Sequence, residues 1–289
     1  MAGESASGPE RPQSEFIIRF RRNRNAMIGS IIVALVVAAA LLAPWIVPYD
    51  VEKVNMLTVW EPPGEDFWFG ADALGRDVFS RVIVGARVSL LVAVSVLAIT
   101  LTVGTILGMC AAYFGGWVDT VIMRTVDIIF AFPELIFAIL IAAMLGPGKL
   151  TVIIALSIVW WPGIARLTRS LVLSLKSELF VEAAIASGTP VHRIMRRHFL
   201  PNIIAPLIVR ASIGVGFIIM AEATLSFLGI GVQEPEPTWG GMIRDGLSQL
   251  RTDPHLALYA SLALGITMVG FNLLGDGLRD ILDPRVRDR

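Results

Sequence analysis

The chain has 289 residues, of which 55% are hydrophobic and 17% charged, and its 24 Lys+Arg are balanced by 24 Asp+Glu. A soluble domain carries roughly a quarter charged residues, and a mean hydropathy of +0.72 leaves too few polar side chains to cover a water-facing surface. This composition excludes disorder over most of the length, and the lack of a basic excess excludes a nucleic-acid binder. The one cysteine, Cys110, lies in an apolar run and has no intrachain partner for a disulfide. Lipid is the solvent that accounts for the surplus.

Residues 1–15 are rich in Ser, Gly, Pro and Glu and read as a mobile tail. A helix needs about 20 mostly apolar residues to cross a bilayer. The first such run, Asn25 to Tyr49, follows Arg19, Arg21, Arg22 and Arg24 and contains the small residues Ala38 to Ala40. It is far longer than the ~7–15 apolar residues of a secretory signal, so it reads as an uncleaved anchor. An acidic, aromatic stretch with Trp60, Phe67, Trp68 and Phe69 precedes the second run, Val88 to Val118. Glu65 to Phe69 is suited to lie on a bilayer surface or to meet a partner protein. Gly104 and Gly108, a small-xxx-small pair, mark a closely packed helix face in the second span. A span from Ile128 to Gly148 is interrupted by Glu134 beside Pro133. The next, Leu150 to Ala165, ends at Trp160-Trp161-Pro162, the aromatic punctuation of an interface. Ile203 to Ile230 contains Arg210 and Glu222, and Leu256 to Gly275 is the last, with Asn272 and Asp276 at its end. The expected fold is an all-α integral membrane protein with six transmembrane helices.

Loop charge sets the orientation. With a cytoplasmic N-terminus, the inside segments hold sixteen Lys/Arg and the outside segments seven, whereas acidic residues split eleven and eleven. Both termini are therefore expected in the cytoplasm. The expected organisation is a cytoplasmic tail over 1–24, an N-terminal helix with its outer loop over 25–87, a transmembrane domain over 88–278 and a second tail over 279–289.

The inside loop over 166–201 is the most informative part. Its first portion continues the fifth span at helical spacing. Glu182-Ala183-Ala184 follows, then Gly188, then His198-Phe199-Leu200-Pro201. This reads as two short helices with a sharp bend. Gly188 is suited to the left-handed residue that closes the first, and Thr189-Pro190 to an N-cap with proline at the first helical position. Arg193, Arg196 and Arg197 fall on one face of the second helix, and Pro201 and Pro206 mark the return to the membrane. Small residues at the front of a bent helix pair allow close backbone approach to a groove on a partner.

The spacing Glu182-Ala183-Ala184, Gly188, Leu200-Pro201 resembles the EAA motif of ABC importer permeases, although His198 stands where many members carry Ile. The resemblance extends to Phe69-Gly70 through Arg81, to Gly85 through Leu90, to Ala221 through Gly229, and to Pro235 through Gly241. It ends with Leu274 through Asp280 and Asp283-Pro284-Arg285. Together with the extra first span, these resemble the shorter "C"-type subunit of the dipeptide/oligopeptide/nickel permease family. That resemblance implies a type I importer permease fold with a cytoplasmic coupling helix, in which Glu182, Ala183, Ala184, Gly188, Arg193, Arg197 and Pro201 contact the ATPase. It also implies a second homologous permease subunit, two ABC ATPase subunits that bind ATP and Mg, and an extracytoplasmic solute-binding protein, with this chain multi-pass in the cytoplasmic membrane and lipid around its spans. Peptide is the expected substrate, with nickel or another small solute the alternative.

This chain itself has no G-x-x-x-x-G-K-[ST] phosphate loop, since Gly146-Pro147-Gly148-Lys149 lacks the first glycine. His192, His198, His255 and Cys110 form no metal-ligand spacing, and no nucleophile–base set suggests catalysis. Glu134 and Glu222 lie within spans and are candidates to line the pathway, or else pair with a neighbouring helix. Arg210 is read as snorkelling to the interface. A secondary transporter using Glu134 or Glu222 as a proton relay is the competing class, and it would usually show an inverted repeat that is not evident here.

Overall fold

The computed structural model describes residues 12–282. Residues 1–11 of the expected tail, and Asp283-Pro284-Arg285 of the terminal motif, lie outside the described residues. The remainder of that tail is not loose chain, because Pro12–Arg22 is a helix, α1. It bends at Asn23 into α2 (Arg24–Ile46), where the Asn23 side chain accepts the Ala26 N–H at 2.9 Å, as an N-cap should.

Residues 47–77 are turns and loop and lead into α3 (Val78–Phe114), which at 37 residues is the longest single helix described. It begins ten residues before the expected charge-free run because Asp77 caps it through the Ser80 N–H at 2.8 Å. Arg81, which on charge alone belongs in the loop, is neutralised in place. The division expected at Arg87 thus falls inside one continuous helix.

The expected span Ile128 to Gly148 is not one helix. α4 (Gly116–Phe130) and α5 (Glu134–Leu145) meet at 91°. Pro133 has no N–H to donate and disfavours helix in the residue before it. The fifth span is likewise different. α6 (Lys149–Lys176) runs 28 residues, through Pro162 and past Ala165. Its charges do not end it because α4 answers them: Arg166 pairs with Asp127 at 2.8 Å, and Arg169 bonds Asp119 through both Nε and Nη2. The Arg166 guanidinium also lies 4.6 Å above the Phe130 ring.

α7 (Leu179–Ala186) and α8 (Val191–Ile194) form the kinked loop, and a π-helical turn (Met195–Phe199) joins α8 to α9 (Leu200–Phe227). Pro201 and Pro206 therefore lie within the early turns of a helix. α10 (Trp239–Leu247) is short, and α11 (His255–Leu282) closes the bundle. Asn272 and Asp276 sit inside α11, where Gly270, Gly275 and Gly277 let other helices approach closely. A Cβ on Gly277 would lie 2.4 Å from the Ala26 backbone nitrogen, and one on Gly275 would lie 2.5 Å from the Ile213 side chain. Among the described residues five helices are long and apolar enough to cross a membrane, and six spans result if the bent α4–α5 pair is taken as one.

The densest crossing is α3 on α6. A Cβ on Gly104 would stand 2.6 Å from the Ile164 Cβ, and one on Gly108 would stand 2.5 Å from the Ala165 carbonyl oxygen. The glycine pair is a packed face as expected, and α6 is its partner. Lipid gives helices no hydrophobic drive to associate, so close approach of small residues carries the packing. Around it the core gathers Val92, Val96, Leu156, Val159, Ile218, Leu225 and Trp239. The Arg166–Asp127 pair is about half exposed on both sides. Asp127→Asn is expected to cost under about 1 kcal/mol, visible as a small drop in thermal midpoint in detergent.

Candidate functional site

The kinked loop is a finger closed by its own backbone. Gly188 has φ +72°, and no atom lies within 4 Å of where its Cβ would be. The Gly188 N–H donates to the Ile185 carbonyl and the Thr189 N–H to the Ala184 carbonyl, at 3.0 and 3.1 Å. These two bonds make a Schellman turn, as the glycine's position suggested. Thr189 is not the cap of the next helix. Pro190 occupies that position and offers no side-chain bond, while its carbonyl accepts the Arg193 and Ile194 N–H groups.

The finger is rooted and its tip is bare. Val181, Ile194 and Phe199 are buried with Val172, Met109 and Ile203, which ties both arms to α3, α6 and α9. Lys176 donates to the Tyr113 carbonyl at 2.8 Å, so the start of the finger is pinned to the last turn of α3. Glu182, Ala183 and Gly188 are exposed, as are Leu179, Phe180 and Ile185. Apolar side chains clustered and exposed in this way are what a docking surface needs. Arg193, Arg196 and Arg197, also exposed, edge a shallow depression with His192 and Pro201.

The two intramembrane carboxylates part company. Glu222 is fully buried, accepting bonds from Ser89 and Ser226 at 2.8 Å each. It ties α9 to α3 and does not reach the central cavity. Glu134, in the first turn of α5, does line that cavity. So does Arg210, from α9.

The opposite end of the bundle holds a buried ion network that sequence reasoning missed. Arg81 bonds Glu234 at 2.9 Å and the Val51 carbonyl at 3.0 Å, and it lies 3.3 Å from Asp72. Arg76 bonds Asp72 at 2.7 Å and Glu234 at 2.6 Å. Burial pulls the Arg76 guanidinium down, but Glu234 and Asp72 together hold it above the ordinary arginine value. The D-x-x-x-R-x-x-x-x-R spacing was visible in the quoted stretch, while Glu234 is far off in sequence. Around it Phe69 stacks on Tyr259 at 3.9 Å and Phe67 is buried near Tyr49. Of the aromatic stretch only Trp68 is exposed, so most of it is cap core. Trp239 donates to the Val82 carbonyl at 3.0 Å, and Lys149 bonds Glu236 at 2.6 Å, fastening the 228–238 loop across the end of α6. Among the described residues no three His, Cys, Asp or Glu converge as a metal site.

Comparison with known proteins agrees with this geometry. Residues 104–288 match the family described as "Binding-protein-dependent transport system inner membrane component", and residues 12–63 match the "N-terminal TM domain of oligopeptide transport permease C". The glutathione transport system permease protein GsiD of Escherichia coli O157:H7 is 43% identical over 277 residues, covering 96% of this chain and 91% of that protein. GsiD of Shigella boydii serotype 4 (strain Sb227) gives the same figures. The match over residues 104–288, the match over 12–63 and the 43% identity, on a multi-pass helical bundle, give the assignment: the chain belongs to the binding-protein-dependent inner membrane components, as an ABC importer permease of the peptide and oligopeptide family with the type I importer fold.

Proposed function

We propose that this chain forms half of the pathway of an importer for peptides, driven by ATP hydrolysis on two separate ATPase subunits that hold the nucleotide and Mg. In this reading the finger and both termini face the cytoplasm, and a second homologous permease completes the pathway. A solute-binding protein delivers at the cap end, built around Arg76 and Arg81. Membrane lipid surrounds the spans, and the chain itself carries out no chemistry. Supporting the peptide substrate are the 43% identity to permeases named for glutathione transport and the match to oligopeptide permease C.

The observation that carries the reading is mechanical. α7 is separated from α6 by two residues, and α8 runs through the π-helical turn into α9. A push on Glu182, Ala183 or Ala184 is therefore transmitted to two spans, with the Gly188 turn fixing the angle between the arms and Arg193, Arg197 and Pro201 flanking the contact. Proline at 188 cannot adopt φ +72°, and lysine at 182 reverses the charge beside the docking alanines. Gly188→Pro and Glu182→Lys are each expected to abolish peptide uptake while the permease still reaches the membrane. Either variant transporting at the wild-type rate with its ATPase subunits bound would reject the reading. Uptake of labelled di- and oligopeptides, alongside nickel, in a strain lacking this chain tests the substrate: loss of nickel uptake alone overturns the peptide assignment.

A further inference from the structure

α3, α4, α5, α6 and α9 line a cavity of about 230 Å³ whose wall includes Glu134, Arg210, Phe130, Trp160 and Phe217. It lies near mid-depth: Val159 and Trp160 are ten and eleven residues along the 28 of α6, and Arg210 is ten along the 28 of α9. Charges at that depth are costly unless they are answered. Several other charges set into the helices have partners: Arg166 has Asp127, Arg169 has Asp119, Arg81 has Glu234, and Glu222 has two serine hydroxyls. Glu134 and Arg210 have opposite signs on the wall of one cavity, both are exposed, and no ion pair joins them or ties either to another described residue.

The glycines at the cavity differ from those at the helix crossings. A Cβ on Gly163 would meet nothing nearer than Arg210 Nη2 at 3.8 Å, and one on Gly214 nothing nearer than the Leu97 side chain at 3.9 Å. No neighbouring backbone presses on them, as one does on Gly108. They leave room beside Arg210 without drawing another helix in. A site with a carboxylate, a guanidinium, aromatic walls and spare volume suits a small solute that carries both an ammonium and a carboxylate.

We propose that this cavity is a transit subsite for the charged main-chain ends of a peptide, with Glu134 facing the α-ammonium and Arg210 the α-carboxylate. The proposal rests on the peptide-importer reading and adds to it two side chains that discriminate by charge. The purified complex without its binding protein is labelled with a photoreactive dipeptide, and competition is measured with the free, N-acetylated and C-amidated forms of the unlabelled peptide. Wild type is expected to give saturable labelling near residues 159–163 or 210–218, with both blocked forms competing about tenfold or more weakly than the free form. Arg210→Gln should lose the preference for the free carboxylate and keep that for the free amine. Glu134→Gln should do the reverse, and Arg210→Lys should retain the carboxylate preference. Labelling that is unsaturable or lies elsewhere overturns the proposal. So do variants that lose both preferences together or neither, the result expected if the two charges only pair with a neighbouring subunit. Uptake by complete vesicles separates the two levels. If wild type imports no peptide, the importer reading fails, and if the Glu134 and Arg210 variants import as wild type does, only the subsite fails.

Discussion

Arg81→Ala is expected to destabilise the chain by up to about 3–5 kcal/mol, because it strips the buried Asp72 of one of its two guanidinium partners, while Glu234, 43% exposed, is partly answered by water. The Arg81 side chain is 2% exposed, and with Arg76 it balances Asp72 and Glu234. Without it, two carboxylates face one guanidinium, and the Val51 carbonyl loses its donor. The fall should be seen as reduced accumulation in the membrane and a lowered melting midpoint in detergent. Arg81→Lys keeps the charge but not the fork that reaches Glu234 and Val51 together, so it should land between the two. An alanine variant that accumulates and melts like wild type contradicts the network's importance.

The second large effect is expected at the α3–α6 crossing. Gly108→Leu should cost about 3 kcal/mol or more through overpacking. The obstruction is backbone, the Ala165 carbonyl at 2.5 Å, with the Thr168 Cβ at 2.7 Å, so relief requires α6 to move away from α3. Because α6 carries the root of the finger, peptide uptake should fall along with the melting midpoint. Gly265→Ala is the matched control. That position is helical and has nothing within 4 Å of the added atom, so the change should be neutral or stabilise by up to about 1 kcal/mol. Equal losses at both sites would remove the packing argument.

The contrast between these sites and the finger shows what was legible. Most of the spans follow from long apolar runs, and the Gly188 turn from one glycine between two helical patterns, because both signals are local. Helix ends were misjudged where charge was taken as a stop. Arg166 and Arg169 do not end α6 when Asp127 and Asp119 on α4 meet them, and Arg81 does not delay α3 when Glu234, 153 residues away, bonds it. The 91° break was signalled by Pro133, but its effect on Glu134 was not: the bend starts a new helix with that carboxylate at the cavity. Glu222 and Arg210 changed places for the same reason. Burial by Ser89 from α3 hides the glutamate, and the space beside Gly163 opens a site for the arginine.

One further consequence follows from the length of α3. Its 37 residues contain no proline and span about 55 Å, well beyond the ~30 Å hydrocarbon layer. One end is held by Lys176 beside the finger, and the other carries Arg81 in the cap network. Such a helix behaves as a lever, and a tilt of about 5° pivoted at one end sweeps the far end through about 5 Å at 1.5 Å rise per residue. A small tilt set at the finger end thus emerges as a shift of several Å at the cap, with no hydrogen bond along the rod having to break.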